Sequence, residues 1–112
     1  MYTNDTPDSK RSPVTVPMLR AMKDRGERIA TLTAYDASFA RAMDAVGIDA
    51  VLVGDSLGMV IQGGKTTVSV SIDDMVYHSR CVAQGLQAAL LIADMPFQSY
   101  ASPERALTSA AR

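Results

Sequence analysis

Short apolar stretches alternate with segments of helical spacing along most of this chain. The stretches are apolar throughout and rich in β-branched residues, which is typical of strands that are covered on both faces. Because these strands alternate with helices, the pattern predicts a parallel sheet in an α/β fold, of either the barrel or the doubly wound type. In chain order, the predicted elements are a strand over 29–33, a helix over 38–46, a strand over 50–53, a helix over 72–84, a strand over 89–93 and a helix that begins at Ser102.

Two of the predicted helices have clear start signals. Ser71 and Asp74 have the spacing of a capping box. The run Ser102-Pro103-Glu104 gives a cap, a first-turn proline and an acidic first turn in the right order.

The N-terminal part of the chain has a different composition. Residues 1–14 are rich in Thr, Asp, Ser and Pro, and Thr15 can cap a short helix that ends before Gly26. We therefore expect residues 1–27 to form a flexible leader and a short helix, and residues 28–112 to form a partial barrel domain.

Composition and charge argue against several classes of function. Eleven Lys and Arg against twelve Asp and Glu give a formal net charge of -1, which offers no electrostatic basis for binding nucleic acid or an anionic membrane surface. No apolar run is long enough to span a bilayer, and the N-terminus lacks the apolar segment of a secretory signal. These features lead us to expect a cytoplasmic protein.

Polar residues directly follow each of the three predicted strands. They are Tyr35-Asp36, Gly54-Asp55-Ser56-Leu57-Gly58 and Asp94-Met95-Pro96. The carboxyl ends of parallel strands lie at one edge of the sheet, and ligands bind there. Asp55 and Asp94 are therefore candidate ligands for a hard cation such as Mg²⁺. The alternative is that each aspartate is a turn or cap residue.

The segment 54–58 also fits the G-x-S-x-G pattern of hydrolases, and its first four residues spell the Gly-Asp-Ser-Leu signature of a second esterase family. In that interpretation Ser56 is a nucleophile and needs a histidine base within hydrogen-bond reach. The sole histidine, His78, lies inside a predicted helix, where a histidine is more often structural. A histidine later in a longer chain would also satisfy this alternative.

Four blocks of sequence resemble the ketopantoate hydroxymethyltransferase family. They occur in the family's order and spacing, and they are Thr31-Leu-Thr-Ala-Tyr-Asp36, Val51-Leu-Val-Gly-Asp-Ser-Leu-Gly-Met59, Leu91-Ile-Ala-Asp-Met-Pro-Phe97 and Tyr100-Ala-Ser-Pro-Glu104. The resemblance implies a (β/α)8 barrel of the phosphoenolpyruvate/pyruvate superfamily. Because a whole barrel takes roughly 250 residues, we expect this sequence to hold only the first three βα units.

The resemblance also implies an activity. The family transfers a hydroxymethyl group from 5,10-methylenetetrahydrofolate to 3-methyl-2-oxobutanoate, and the product is 2-dehydropantoate for pantothenate and coenzyme A synthesis. By position, Asp55 and Asp94 resemble the family's Mg²⁺ ligands, and Asp55, Ser56 and Asp94 resemble residues that contact the oxo acid. Ser56 would then be a hydrogen-bond donor to the substrate and not a nucleophile.

The family's other site residues lie on later strands. They are a further acidic metal ligand, a substrate-binding lysine and the catalytic glutamate, so we expect no catalytic residue in this chain and a general base beyond Arg112. The chain alone is therefore expected to be inactive. Full-length members of the family are expected to form homo-oligomers, with a decamer as the expected assembly. Another Mg²⁺-dependent oxo-acid enzyme of the same superfamily stays open as an alternative.

Overall fold

A computed structural model describes residues 11–112 of the chain. This part contains three strands and five helices. The strands are β1 (Thr31–Thr33), β2 (Ala50–Val53) and β3 (Leu90–Ala93), and the helices are α1 (Val16–Asp24), α2 (Ala37–Ala45), α3 (Leu57–Val60), α4 (Ile72–Gly85) and α5 (Pro103–Ala110).

The strands form one parallel sheet in the order β1-β2-β3. Parallel neighbours need a crossover between them, and α2 and α4 supply it. The predicted α/β fold with a parallel sheet is confirmed. In the central strand β2, three of four residues are buried, whereas all of β1 and half of β3 are exposed.

The core lies between the sheet and helices α2 and α4. Val51 and Val53 on β2 pack there with Ala40 of α2 and with Met75 and Val82 of α4. The β-branched side chain of valine packs well on the pleated face of a sheet. Gly85 allows the two helices to approach closely, because a Cβ at that position would lie 2.3 Å from the carbonyl oxygen of Ala37.

Side-chain caps begin four of the five helices. Thr15, Asp36, Ser71 and Ser102 each accept a hydrogen bond from a backbone N–H in the first turn of the helix that follows. Ser71 and Asp74 form the predicted capping box, with distances of 2.9 and 3.0 Å. The hydrogen bond from the Ser71 backbone N–H is the main reason that the pKa of Asp74 is lowered.

Most element boundaries differ from the prediction by one or two residues, and one helix was not predicted. Strand β1 begins at Thr31 and not at 29, because the Ala30 N–H bonds to the Asp49 carboxylate at 2.9 Å instead of joining the ladder. Helix α2 begins one residue early because Asp36 caps it. The single turn α3 falls in a glycine-rich stretch that the pattern describes only as a loop.

Asp44 joins three parts of the fold. Its carboxylate, near the end of α2, accepts hydrogen bonds from the backbone N–H groups of Gln87, Ala88 and Ala89 at 3.2, 3.1 and 2.8 Å. Arg11 forms an ion pair with the same carboxylate at 3.3 Å. Burial by itself raises the pKa of Asp44, but the three backbone hydrogen bonds and the Arg11 charge bring it below its ordinary value.

The predicted leader is only partly described, since residues 1–10 lie outside the described residues. Arg11 and Val14, at the end of that predicted leader, are attached to the fold. Arg11 pairs with Asp44, and the Val14 N–H donates to the Ala88 carbonyl at 2.7 Å. The division of the chain into 1–27 and 28–112 stays a prediction.

Candidate active site

Asp55 and Asp94 meet at the carboxyl edge of the sheet. Asp55 comes two residues after the end of β2, and Asp94 directly follows β3. The Asp55 backbone N–H donates to Asp94 Oδ2 at 3.2 Å, and the Asp94 N–H donates to the Val53 carbonyl at 2.9 Å. The two aspartates, 39 positions apart in the sequence, therefore lie at one edge, as their strand-end positions predict.

Gly54 lies against both neighbouring side chains. A Cβ added at this position would be 3.3 Å from Asp94 Oδ2 and 3.5 Å from Ser56 Oγ. The first distance is tighter than an ordinary van der Waals contact, so a side chain at residue 54 would push against the Asp94 carboxylate. Because Gly54 has no side chain, the Asp94 carboxylate and the Ser56 hydroxyl can both lie close to its backbone.

Ser56 differs from the other residues that precede helices. It comes directly before α3, but its side chain makes no capping hydrogen bond. Its hydroxyl instead shares a short hydrogen bond with the phenol of Tyr35, which lies in the loop after β1. The Ser56 side chain is thus held by a neighbouring loop and stays at the edge of the sheet.

Asp36, the third acidic residue after a strand, has a different role. Its carboxylate accepts a hydrogen bond from the Phe39 N–H at 2.8 Å and caps α2. The cap interpretation therefore accounts for Asp36. Asp94 is exposed, and its carboxylate accepts a hydrogen bond from the Asp55 backbone N–H. Asp55 is half-buried.

The charge balance at this edge would suit a cation. In the described part of the chain the ion pairs involve Asp44, Glu27 and Asp73, and neither Asp55 nor Asp94 has a basic partner. A bound cation would supply the counter-charge that these two carboxylates lack among the described residues. Mg²⁺ typically takes one or two protein carboxylates and keeps several waters.

The donor set is nevertheless small. Within residues 11–112, no group of three or more His, Cys, Asp or Glu side chains is arranged to hold a metal ion. If Mg²⁺ binds here, Asp55 and Asp94 would supply two of its ligands, which is only part of a full set.

His78 forms its hydrogen bond with the Tyr35 backbone and not with Ser56. Its Nδ1 lies 2.8 Å from the Tyr35 carbonyl oxygen, which can only accept, so Nδ1 carries the proton and donates. The ring packs edge-on against Tyr35 and Tyr77, with centroid distances of 6.5 and 5.2 Å. His78 therefore has the structural role expected of a helix-interior histidine, and the hydroxyl partner of Ser56 is a tyrosine.

A separate open cleft of about 590 Å³ lies between α4, β3 and α5. Asp94 and Met95 line one end of it, but neither Asp55 nor Ser56 does. We place the site at the strand ends and not in this cleft, because the polar groups converge at the strand ends.

Tyr35 and Asp44 are two residues whose contacts the sequence does not reveal. Tyr35 stands in a strand-end segment, but no spacing rule pairs its hydroxyl with a serine 21 positions later. Asp44 lies in a helical segment and gives no sign of its three backbone partners near position 88. Both contacts depend on how separate loops are brought together.

In the part that the structure describes, no helix has both the length and the apolar character that crossing a bilayer requires. A parallel sheet with two acidic residues at its carboxyl edge is typical of α/β proteins that bind ligands at their strand ends.

Comparison with known proteins narrows this class to one family. The family model for ketopantoate hydroxymethyltransferase matches residues 13–112, so the chain belongs to the ketopantoate hydroxymethyltransferase family. Three similar relatives are each named 3-methyl-2-oxobutanoate hydroxymethyltransferase. The one from Alkalilimnicola ehrlichii is 55% identical over 112 residues, which is 100% of this chain and 40% of the relative. The one from Thiobacillus denitrificans is 59% identical over 101 residues, 89% of this chain and 38% of the relative. The one from Methylococcus capsulatus is 61% identical over 100 residues, 89% of this chain and 37% of the relative. The chain thus spans about two fifths of the length of the curated relatives it matches.

Proposed function

We propose that this chain is the part of a 3-methyl-2-oxobutanoate hydroxymethyltransferase that supplies two metal ligands and a substrate-binding serine. The whole protein transfers a hydroxymethyl group from 5,10-methylenetetrahydrofolate to 3-methyl-2-oxobutanoate. The observation that carries the proposal is the hydrogen bond from the Asp55 N–H to the Asp94 carboxylate. It brings together, at the strand ends of a member of this family, two acidic residues that have no basic partner among the described residues.

In this proposal Asp55 and Asp94 hold a Mg²⁺ ion. When bound there, the ion supplies polarisation of the keto group and so favours loss of the C3 proton. The support from the structure is that both carboxylates lie at one edge and lack a cationic partner among the described residues.

Ser56 binds the oxo acid in this proposal. Its hydroxyl is not used as a helix cap, and it lies beside Asp55 in the same loop. A serine hydroxyl can donate one hydrogen bond to a carboxylate or keto oxygen. Asp55 and Asp94 also contact the oxo acid.

The fold of the whole protein is proposed to be a (β/α)8 barrel of the phosphoenolpyruvate/pyruvate superfamily. Leu52 and Ile92 lie side by side on the sheet face opposite Val51, and Ile92 is 41% exposed. Further strands would cover these side chains as a barrel interior, in which branched apolar residues dominate. The remaining metal ligand and the general base would come from those further strands, so residues 1–112 alone are proposed to be inactive.

The proposal also covers the location, the assembly and the partners of the whole protein. We place it in the cytoplasm, where folate and the oxo acid are expected, and we expect a homo-oligomer with a decamer as the assembly. Nucleic acid and membrane are not expected as partners, because the formal net charge of the chain is only -1.

The experiment is an activity assay of the whole protein with two substrates, carried out with and without a chelator and repeated with the Ser56→Ala variant. Transfer to 3-methyl-2-oxobutanoate should require Mg²⁺ and disappear on chelation, and a p-nitrophenyl ester should not be cleaved. The hydrolase alternative predicts the opposite, namely ester cleavage that survives chelation and is abolished by Ser56→Ala. Ester cleavage of that kind, without hydroxymethyl transfer, would overturn the proposal.

A further inference from the structure

A chain of contacts connects helix α4 to Ser56 through Tyr35. His78 on α4 donates from Nδ1 to the Tyr35 carbonyl oxygen at 2.8 Å. The phenol of Tyr35 then shares its hydrogen bond with the Ser56 hydroxyl. Both hydrogen bonds are half-buried, and Tyr35 also packs against the hydrophobic core. Three separate segments thus set the position of one serine hydroxyl.

The direction of the Tyr35–Ser56 hydrogen bond depends on what else Ser56 binds. A hydroxyl has one proton to donate, whereas an ionised carboxylate only accepts. When Ser56 donates its proton to a carboxylate oxygen, its Oγ must accept the proton of the Tyr35 phenol. Each of the two bonds then strengthens the other, because a hydroxyl that accepts a hydrogen bond becomes a better donor.

We propose that Tyr35 is a positioning residue that turns the Ser56 hydroxyl toward the carboxylate of the oxo acid, and that His78 fixes Tyr35 for this purpose. The inference rests on the proposed function, because it takes a 2-oxo acid as the ligand of Ser56. Tyr35 acts through Ser56 and does not touch the substrate.

The carboxylate is not the reacting part of the substrate, since the proton leaves C3. An interaction with it has about the same strength in the bound substrate and in the transition state, so its loss should raise KM and leave kcat nearly unchanged. A general loss of structure would instead lower kcat and the amount of active protein.

The test compares Tyr35→Phe, Ser56→Ala and the double variant in the whole protein. Tyr77→Phe is the matched control, because Tyr77 also packs edge-on against His78 but is exposed. The readouts are KM and kcat for 3-methyl-2-oxobutanoate and, as a measurement independent of turnover, its Kd by calorimetry without folate. We expect Tyr35→Phe to raise KM and Kd about tenfold with kcat changed less than about twofold. The double variant should bind no more weakly than Ser56→Ala alone, and Tyr77→Phe should match the wild type.

His78 is tested by a conservative pair. His78→Asn retains an N–H donor that can reach the Tyr35 carbonyl, whereas His78→Leu removes it, so KM should stay near the wild-type value in the first and rise in the second.

The outcomes separate the two proposals. Unchanged KM in Tyr35→Phe, or effects of Tyr35→Phe and Ser56→Ala that multiply in the double variant, would overturn the positioning role while the proposed function stands. A wild-type protein that neither binds nor converts the oxo acid would overturn both.

Discussion

At the scale of single residues, similar side chains beside strands and helices have different roles. The Asp36 carboxylate caps α2. Asp55 and Asp94 lie together at the edge of the sheet, and neither has a basic partner among the described residues. Ser71 caps a helix, but Ser56 bonds to Tyr35. Strand-end position therefore selects all three aspartates as candidates. A local hydrogen bond to the Phe39 N–H shows that Asp36 is a helix cap, and the contact between the loops after β2 and β3 brings Asp55 and Asp94 together.

The first prediction concerns the two strand-end aspartates. Asp55→Asn and Asp94→Asn should each weaken Mn²⁺ binding to the whole protein at least about tenfold, because a neutral amide is a poorer ligand for a hard cation than a carboxylate. Electron paramagnetic resonance of free Mn²⁺ measures this directly. Asp24→Asn, at the exposed end of α1, is the control and should bind as the wild type does. Equal affinities in all three variants would remove the basis for the metal site.

The second prediction concerns Asp44, whose carboxylate accepts three backbone hydrogen bonds and has a side chain only 12% exposed. Asp44→Asn should lower the free energy of unfolding by roughly 1–3 kcal/mol at neutral pH, because bonds to a charged acceptor are replaced by weaker ones. Urea denaturation measures the change. Asp73→Asn, which removes an exposed ion pair with Arg112, should change stability by less than about 1 kcal/mol.

The loss of stability caused by Asp44→Asn should depend on pH. The pKa of Asp44 is below its ordinary value of 3.8 in the folded protein. A lowered pKa stabilises the fold at pH values above the unfolded pKa, and this contribution disappears as the pH falls through the folded pKa. The stability difference between wild type and Asp44→Asn should therefore be constant above about pH 5 and shrink below about pH 4. A difference that stays constant down to pH 2 would contradict this role for the charge.

Among the elements, apolar periodicity and capping signals predict most of the strands and helices and their order along the chain. They predict the three parallel strands, helices α1, α2, α4 and α5, and the capping box of α4, all of which the structure shows. They miss α3, because a four-residue turn has no apolar period of its own. They also miss the late start of β1, because the Asp49 side chain that bonds to the Ala30 N–H comes from a different segment.

The third prediction tests how α2 and α4 pack. A methyl group at Gly85 would approach the Ala37 carbonyl oxygen to 2.3 Å and the Ala40 Cβ to 3.0 Å, and backbone cannot yield as a flexible side chain can. Gly85→Ala should therefore destabilise the protein by about 1–3 kcal/mol despite the higher helix propensity of alanine. Gln84→Ala, at the exposed neighbouring position, should change stability by less than about 0.5 kcal/mol. A stabilised Gly85→Ala would show that the helices are less closely packed than described.

At the scale of the whole molecule, the chain is two fifths of what its relatives contain. Its central strand is mostly buried, whereas β1 is exposed and β3 is half exposed. The site at the edge of the sheet has two carboxylates, and no cluster of three acidic, His or Cys side chains is present among residues 11–112. These features fit a segment that contributes one side of a larger active site. The resemblance of four sequence blocks identified the family, whereas periodicity alone left barrel and doubly wound folds open.

The most direct measurement is hydrogen exchange at C3 of 3-methyl-2-oxobutanoate, followed by proton NMR in deuterated water with the whole protein and no folate. We expect exchange that requires Mg²⁺ and stops on chelation. Its rate should fall on the order of a hundredfold or more in the double variant Asp55→Asn/Asp94→Asn but not in Asp24→Asn. Exchange that continues at the wild-type rate after chelation, or in the double variant, would contradict a metal-dependent oxo-acid site built on these two aspartates.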